Sequence, residues 1–302
     1  MWWLKNKKTV VVHDRRFHAD DVFSVALLSI LNKGKIKIIR TRNESDFTKA
    51  DYLVDVGLEY DLTRNKFDHH QVGGAGKRAS GSEYAAFGLL WKEYGEKICD
   101  SREVALRIEK RLVEGDDLID NAVDIFSKTR KDIIPYLVQD ALEVFNPTWL
   151  EKDDIRDGQF KKAVVMAKEI LEREVKVWTD IIKGEKEVEK IYQATLDKRI
   201  IILDGRYPWE EVVNKYPEPL FVISYRSDKD QWGVTSIRDD LASFKSRLFF
   251  PKEWGGRKDA EFAKITGVED AVYCHHNLWL AIAKTKEGAI KLAKLVINSQ
   301  EK

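Results

Sequence analysis

The chain has 302 residues, 43% of them hydrophobic, an ordinary share for a folded protein and enough length for two domains of roughly 100–200 residues. Lys and Arg total 52 against 51 Asp and Glu, a net charge of +1, and residues 1–150 and 151–302 are each balanced, so neither a basic nor an acidic tail is present. Two cysteines, Cys99 and Cys274, exclude a disulfide framework, and the lack of a signal-type start or an apolar run of ~18 residues predicts a cytoplasmic protein with no membrane segment.

Residues 9–13 (TVVVH) form a short β-branched run that predicts a buried strand. Residues 20–31 carry apolar side chains at helical spacing. Residues 35–40 (KIKIIR) and 51–57 (DYLVDVG) predict further strands, and Phe67 a short fourth one. A glycine-rich loop at 73–76 precedes a predicted helix from about Ser82 to Tyr94, with Ser80 or Ser82 as its cap. That loop fails the phosphate-cradle pattern because Arg78, not Ser or Thr, follows Lys77. Residues 101–145 predict two or three amphipathic helices. The β-α-β-β-α order argues for an α/β fold with a doubly wound, mostly parallel sheet.

Asn146-Pro147 signals a turn. A long helical pattern over 158–183 follows, and then a charged stretch at 184–190 (GEKEVEK) that reads as a connector. Strands are predicted at 199–203, 220–225, 232–237, 271–275 and 278–283, with a last helix over 286–297. The expected organisation is a domain at 1–150, a helical linker at 151–195 and a smaller α+β domain at 196–302.

The six histidines fall in three tight pairs: His13 with His18, His69 with His70, and His275 with His276. Any one alone would read as a surface or satisfied core residue, but four of the six also adjoin carboxylates. His13 ends the first strand, Asp55 ends the third, and Asp68-His69-His70 ends the fourth; His18 and Asp20 open the first helix. In an open α/β sheet the C-terminal strand ends are where ligands bind. Imidazoles and carboxylates gathered there suit Mn²⁺, Mg²⁺ or Zn²⁺, and a bridging carboxylate would allow two ions.

These strings resemble a known family. Asp68-His69-His70 after a buried strand resembles the motif that names the DHH phosphoesterase superfamily. The run from His13 to Asp21 (HDRRFHADD) resembles the first motif of the melanocyte-proliferating-gene exonuclease family, roughly H-x-G-x-F-H-A-D-E. Matches continue at 54–61 (VDVGLEYD), 117–121 (DLIDN), 146–149 (NPTW), 243–247 (SFKSR) and 251–257. The resemblance implies a DHH-type N-terminal domain, a substrate-binding C-terminal domain and a Mn²⁺-dependent 3′→5′ exoribonuclease. It implies His13 and His18 as ligands of one ion, Asp20 and His69 of the other, and Asp55 as the bridge. Asp120 best matches the fourth-motif aspartate, with Asp117 the other candidate. Asp68 would orient His69, and His70 would face the substrate phosphate. Two departures stand out: Arg15 occupies the first-motif glycine position, and Ala122 a second position where the family usually has glycine.

The expected chemistry is phosphodiester hydrolysis by metal-activated water, with single-stranded RNA or an oligonucleotide as substrate. Arg247, Arg257 and His275 are the candidates for holding the substrate. Near-neutral charge keeps open a hydrolase of small phosphates, such as oligonucleotides, cyclic dinucleotides or pyrophosphate. A metal-containing binding protein without turnover is the reading from another class. Of the nine tryptophans, Trp232 and Trp254 are the candidates for stacking on bases, while Trp91 and Trp178 belong to helical apolar stripes; Trp2 and Trp3 have no assigned place. The oligomeric state is not legible.

Overall fold

The computed structural model describes residues 7–127, 130 and 132–300, so Trp2 and Trp3 lie outside the described residues. The chain divides into two compact units at Thr179/Asp180.

The first unit holds a five-stranded sheet. Its strands are β1 (Lys8–Val12), β2 (Ile36–Arg40), β3 (Tyr52–Val54), β4 (Tyr60–Asp61) and β5 (Lys66–Phe67), in the order β2-β1-β3-β5-β4. All neighbours are parallel except the β4–β5 pair, which is antiparallel. Val10, Val11 and Val12 are all fully buried, as a central parallel strand covered on both faces requires. On one face Val11 and Leu53 pack with Phe47 and Ala50, beside the short helix α2 (Glu44–Phe47). Helix α1 (Ala19–Leu31) packs against α3 (Ala86–Cys99), where Phe23 stacks on Phe87 with ring centroids 5.1 Å apart. Burying each of these rings contributes about 2–3 kcal/mol.

Helix α3 begins at Ala86 rather than near Ser82, and neither Ser80 nor Ser82 caps it. Both hydroxyls donate to Glu114 Oε1 instead, at 2.6 and 2.8 Å. Residues 101–145 form α4 (Arg102–Ile108), a π-helical turn (Glu109–Val113), α5 (Glu114–Asp120) and α6 (Val138–Glu143). Helix α7 (Arg156–Ala194) runs for 39 residues, straight through the charged stretch expected to be a connector. That stretch stays helical because Val188 and Tyr192 are buried and Glu187 pairs with Lys190 one turn on.

The second unit holds another five-stranded sheet, formed by β6 (Ile200–Leu203), β7 (Phe221–Arg226), β8 (Gln231–Ser236), β9 (Ala271–Cys274) and β10 (Leu280–Ala283). The order is β6-β7-β8-β10-β9, with only β6–β7 parallel. Helices α8 (Glu210–Val213), α9 (Asp259–Thr266) and α10 (Lys286–Gln300) complete it. Its core includes Trp254, 5% exposed between Phe250 and Phe262, so Trp254 is a packing residue and not a stacking platform. Trp232 lies against Tyr225 with Lys286 over its ring. No helix among the described residues is long and apolar enough to cross a membrane.

Candidate metal centre

Three adjacent parallel strands, β1, β3 and β5, end side by side, and each delivers polar residues at its C-terminal end: His13, Asp55 and the run Asp68-His69-His70. Helix α1 brings His18 and Asp20 to the same place, and the end of α5 brings Asp120. The spacing works because a parallel sheet aligns its strand ends, so residues 13, 55 and 69 meet although they are far apart in the chain.

The contacts are close. His13 Nε2 lies 3.2 Å from Asp55 Oδ2 and 3.0 Å from Asp21 Oδ2. His69 Nε2 lies 3.1 Å from Asp120 Oδ2 and 3.5 Å from Asp55 Oδ1. His18 Nδ1 is 3.8 Å from Asp120 Oδ1. Two sets of donor atoms lie within 4.8 Å of one another: Asp55 with His69 and His70, and Asp20 with His69 and Asp120.

Two further contacts position the imidazoles. His13 Nδ1 is 2.8 Å from the Asp14 carbonyl, which can only accept, so Nδ1 carries the proton and Nε2 is left for a ligand. Asp68 meets His70 rather than His69: its Oδ1 lies 2.8 Å from His70 Nδ1, while its Oδ2 accepts the Leu58 N–H at 2.6 Å. Asp68 therefore ties the loop after β3 to the His70 ring.

Asp117 and Asp120 separate cleanly. Asp117 is fully buried, accepts the Gly88 N–H at 3.0 Å and pairs with Arg78 at 2.6 Å. Asp120, one helical turn on, reaches His69. Asp20 caps α3, accepting from the Phe87 N–H at 2.6 Å and the Ala86 N–H at 3.3 Å. Asn146 holds the first-motif loop from below, accepting the Phe17 N–H at 3.0 Å and donating to the Phe17 carbonyl at 2.8 Å.

The electrostatics test whether a cation fits. Burial, then Asp120, Asp55, Asp117 and Asp116, push the Asp20 carboxyl well above the usual range. Burial likewise raises Asp116 and Asp21. Burial works against ionising Asp55, but His13, His69 and His70 hold it well below the usual range. Burial opposes protonation of His13, yet Asp21 and Asp55 lift it to about 10; against the same opposition Asp120 and Asp55 lift His69 to about 9. Asp55 and Asp68 raise His70 to about 10. Asp55 Oδ1 and His69 Nε2 are buried and make no hydrogen bond of good geometry. Carboxylates packed this tightly stay ionised together only when a cation joins them. The donor set, oxygen and imidazole, fits a divalent cation.

The centre opens into a cavity of about 700 Å³ lined by His13, His18, Asp55, His70 and Asp120, with Arg15, Arg16 and Arg42 among its walls. Arg16 pairs with Glu143 and Arg42 with Asp14. Arg15 has φ +66° and Ala122 φ +56°, so both positions where glycine was expected keep a glycine-type backbone without glycine.

The remaining candidates lie in the second unit. Arg247 donates to the Tyr216 and Pro219 carbonyls at 2.7 and 2.9 Å. Arg257 pairs with Glu261, and the His275 ring lies 5.1 Å from Trp279. Sequence reasoning assigned no role to Asp21 or Asp116. The signal for Asp21 was its place three residues after His18, where it accepts the His18 N–H at 2.9 Å as a helix-capping acid. Asp116 lay in the acidic run before Asp120 and accepts from Gln139 at 2.8 Å.

Fold and site define an α/β protein with a carboxylate–imidazole centre suited to divalent cations. The chain belongs to the family MYG1_exonuc, described as Uncharacterised protein family (UPF0160), whose model matches residues 9–297. It is 29% identical to the MYG1 protein of Dictyostelium discoideum, over 97% of this chain and 98% of that one. It is 25% identical to the MYG1 exonuclease of Homo sapiens, over 94% and 84%, and 28% identical to the MYG1 protein of Chlamydia muridarum, over 97% and 98%. Among solved structures, a crystal structure of RecJ in complex with Mn²⁺ from Thermus thermophilus matches at 14% identity and a TM-score of 0.30, covering 98% of this chain and 53% of that one.

Proposed function

We propose that the protein is a DHH-type phosphodiesterase that hydrolyses oligonucleotides with two divalent cations, Mn²⁺ foremost, acting as a 3′→5′ exoribonuclease. The observation that carries this reading is the buried carboxylate–imidazole centre opening into an arginine-walled cavity. Bound cations would supply Lewis acidity toward phosphoryl oxygens and acidify a water.

The chain's own groups do the rest. His13, His18, Asp20, Asp55, His69 and Asp120 would hold the cations, Asp55 lying 3.2 Å from His13 and 3.5 Å from His69. Asp68 fixes the His70 ring, whose side chain is 56% exposed and lines the cavity, so that it meets the substrate phosphate. Arg15 adds fixed positive charge for a phosphate, and Arg16 and Arg42, which pair with Glu143 and Asp14, line the same wall. Arg257 and His275 are assigned to the substrate side; Arg247 holds backbone carbonyls and acts through them. The balanced net charge of +1 favours short over long polyanions, so a small-phosphate hydrolase stands as the second reading.

The test incubates the protein and Mn²⁺ with 5′-labelled single-stranded RNA, matched DNA and a dinucleotide. Asp55→Asn is the control, chosen because Asn also tolerates the φ of +50° that Asp55 adopts. A ladder shortening from the RNA 3′ end, weaker in the variant by roughly a hundredfold or more, supports the exoribonuclease. Cleavage of the dinucleotide alone moves the reading to small phosphates. Bound metal without cleavage of any of them favours the binding-protein reading.

A further inference from the structure

The second unit contains a cavity of about 600 Å³ that the metal centre does not use. Four aromatic rings line it: Trp209, Phe244, Phe249 and Trp279. Three are conspicuously open to solvent, with Phe244 92%, Phe249 42% and Trp279 40% exposed. Apolar rings left uncovered around one concavity point to a ligand that covers them.

The polar groups narrow its chemistry. The charged residues lining the cavity are Arg238 and Glu210, which face each other at 3.5 Å. Arg238 is further committed: it donates to the Leu241 carbonyl at 3.3 Å, and its guanidinium lies 5.6 Å from the Phe244 ring centroid. The lining is thus close to neutral and is poorly suited to a bare phosphate. Asn277 offers an amide with both donors and an acceptor, and Glu210 a further acceptor. Trp279 is held in place through its backbone, its carbonyl accepting the Ser236 N–H at 2.8 Å, and His275 packs against its ring. Aromatic faces with a few donors and acceptors at the margin suit a flat, uncharged heterocycle with a polar edge.

We propose that this cavity is a nucleobase subsite in which one base stacks on Trp279 and Phe244 while Asn277 and Glu210 meet its edge. The proposal deepens the oligonucleotide-hydrolase reading and rests on it for the identity of the ligand. It also replaces Trp232 and Trp254 as the stacking residues.

The test is titration calorimetry of the full chain with adenosine and with ribose, paired with turnover of an RNA oligonucleotide and of an abasic oligomer of equal length. Adenosine should bind with an affinity insensitive to salt, and ribose should not bind. Phe244→Ala and Trp279→Ala should each weaken adenosine binding about tenfold and raise the KM for RNA similarly, leaving the abasic oligomer unaffected. Phe244 is so exposed that its replacement leaves the core intact, which covers a folding failure of the Trp279 variant. Adenosine binding weakened in both variants upholds the subsite even if no RNA is cleaved, in which case the hydrolase reading alone falls. RNA cleavage with no adenosine binding, or with equal affinity in all three proteins, overturns the subsite and spares the hydrolase.

Discussion

Arg15, Asp55 and Ala122 all hold left-handed backbone, at φ +66°, +50° and +56°, although none is glycine. Each stands beside the candidate metal centre, where a chain leaving a strand or helix must turn sharply to present a side chain. Asp tolerates this conformation well; Arg and Ala do so at a cost of roughly 1–2 kcal/mol. Ala122 occupies the position after α5 where helices commonly place glycine: its N–H donates to the Ile119 carbonyl and the Val123 N–H to the Leu118 carbonyl. Arg15→Gly and Ala122→Gly are therefore each expected to stabilise the protein by about 1 kcal/mol, read as a higher urea midpoint at unchanged slope. A lower midpoint in both variants would show that the two turns are not strained. His13, Asp55 and His69 were legible as strand-end residues because a short β-branched run and its end are local features. The pairing of Asp68 with His70 was not, because it depends on how the loop after β5 folds back.

Among elements, α3 is held from several sides. Its first turn is capped by Asp20, 67 residues away from Phe87 in the chain, and its third residue, Gly88, lies against the buried Asp117–Arg78 pair. A Cβ built on Gly88 would come within 1.8 Å of Asp117 Oδ2 and 2.6 Å of Arg78 Nη2. Alanine is the better helix former by about 1 kcal/mol, yet Gly88→Ala should destabilise by about 2 kcal/mol because the ion pair must move within a packed interior. Chemical denaturation of the variant checks this, and stabilisation would refute it. The same crowding explains why α3 starts later than its sequence pattern suggests: the residues before Ala86 serve Glu114 and the Asp117 pocket. Helix α7 runs on past the periodic pattern at 158–183 for another reason. Its charged stretch looks like a solvated connector in sequence, but Val188 and Tyr192 keep one side buried.

On the scale of the whole molecule, the centre couples stability to pH. His13, His69 and His70 sit at about 10, 9 and 10, against about 6.5 when unfolded. The folded state then binds more protons than the unfolded state between those values. The stability these imidazoliums contribute is fully present below about pH 6.5 and is lost as pH rises toward 9–10. A divalent cation held there would take the place of those protons and so remove the dependence. Thermal melts with EDTA should show a Tm falling from pH 6.5 to 9.5, and melts with Mn²⁺ a flatter and higher curve. Parallel curves with and without metal would argue against a cation at this centre.

The sequence by itself determined the mixed α/β order of the first unit, the α+β character of the second and the gathering of His13, Asp55 and His69 at one end of the sheet. These follow from local periodicity and from where short apolar runs stop. Tertiary structure alone decided that Asp120 rather than Asp117 reaches His69, since only packing shows that Arg78 and the Gly88 N–H already hold Asp117. It also decided which aromatic rings are buried and which line a cavity. Trp254 and Trp279 look alike in sequence, but one is enclosed by Phe250 and Phe262 while the other is left at the rim. The difference is physical: a residue's identity and neighbours along the chain set its propensities, whereas its partners through space set its charge, its orientation and its exposure.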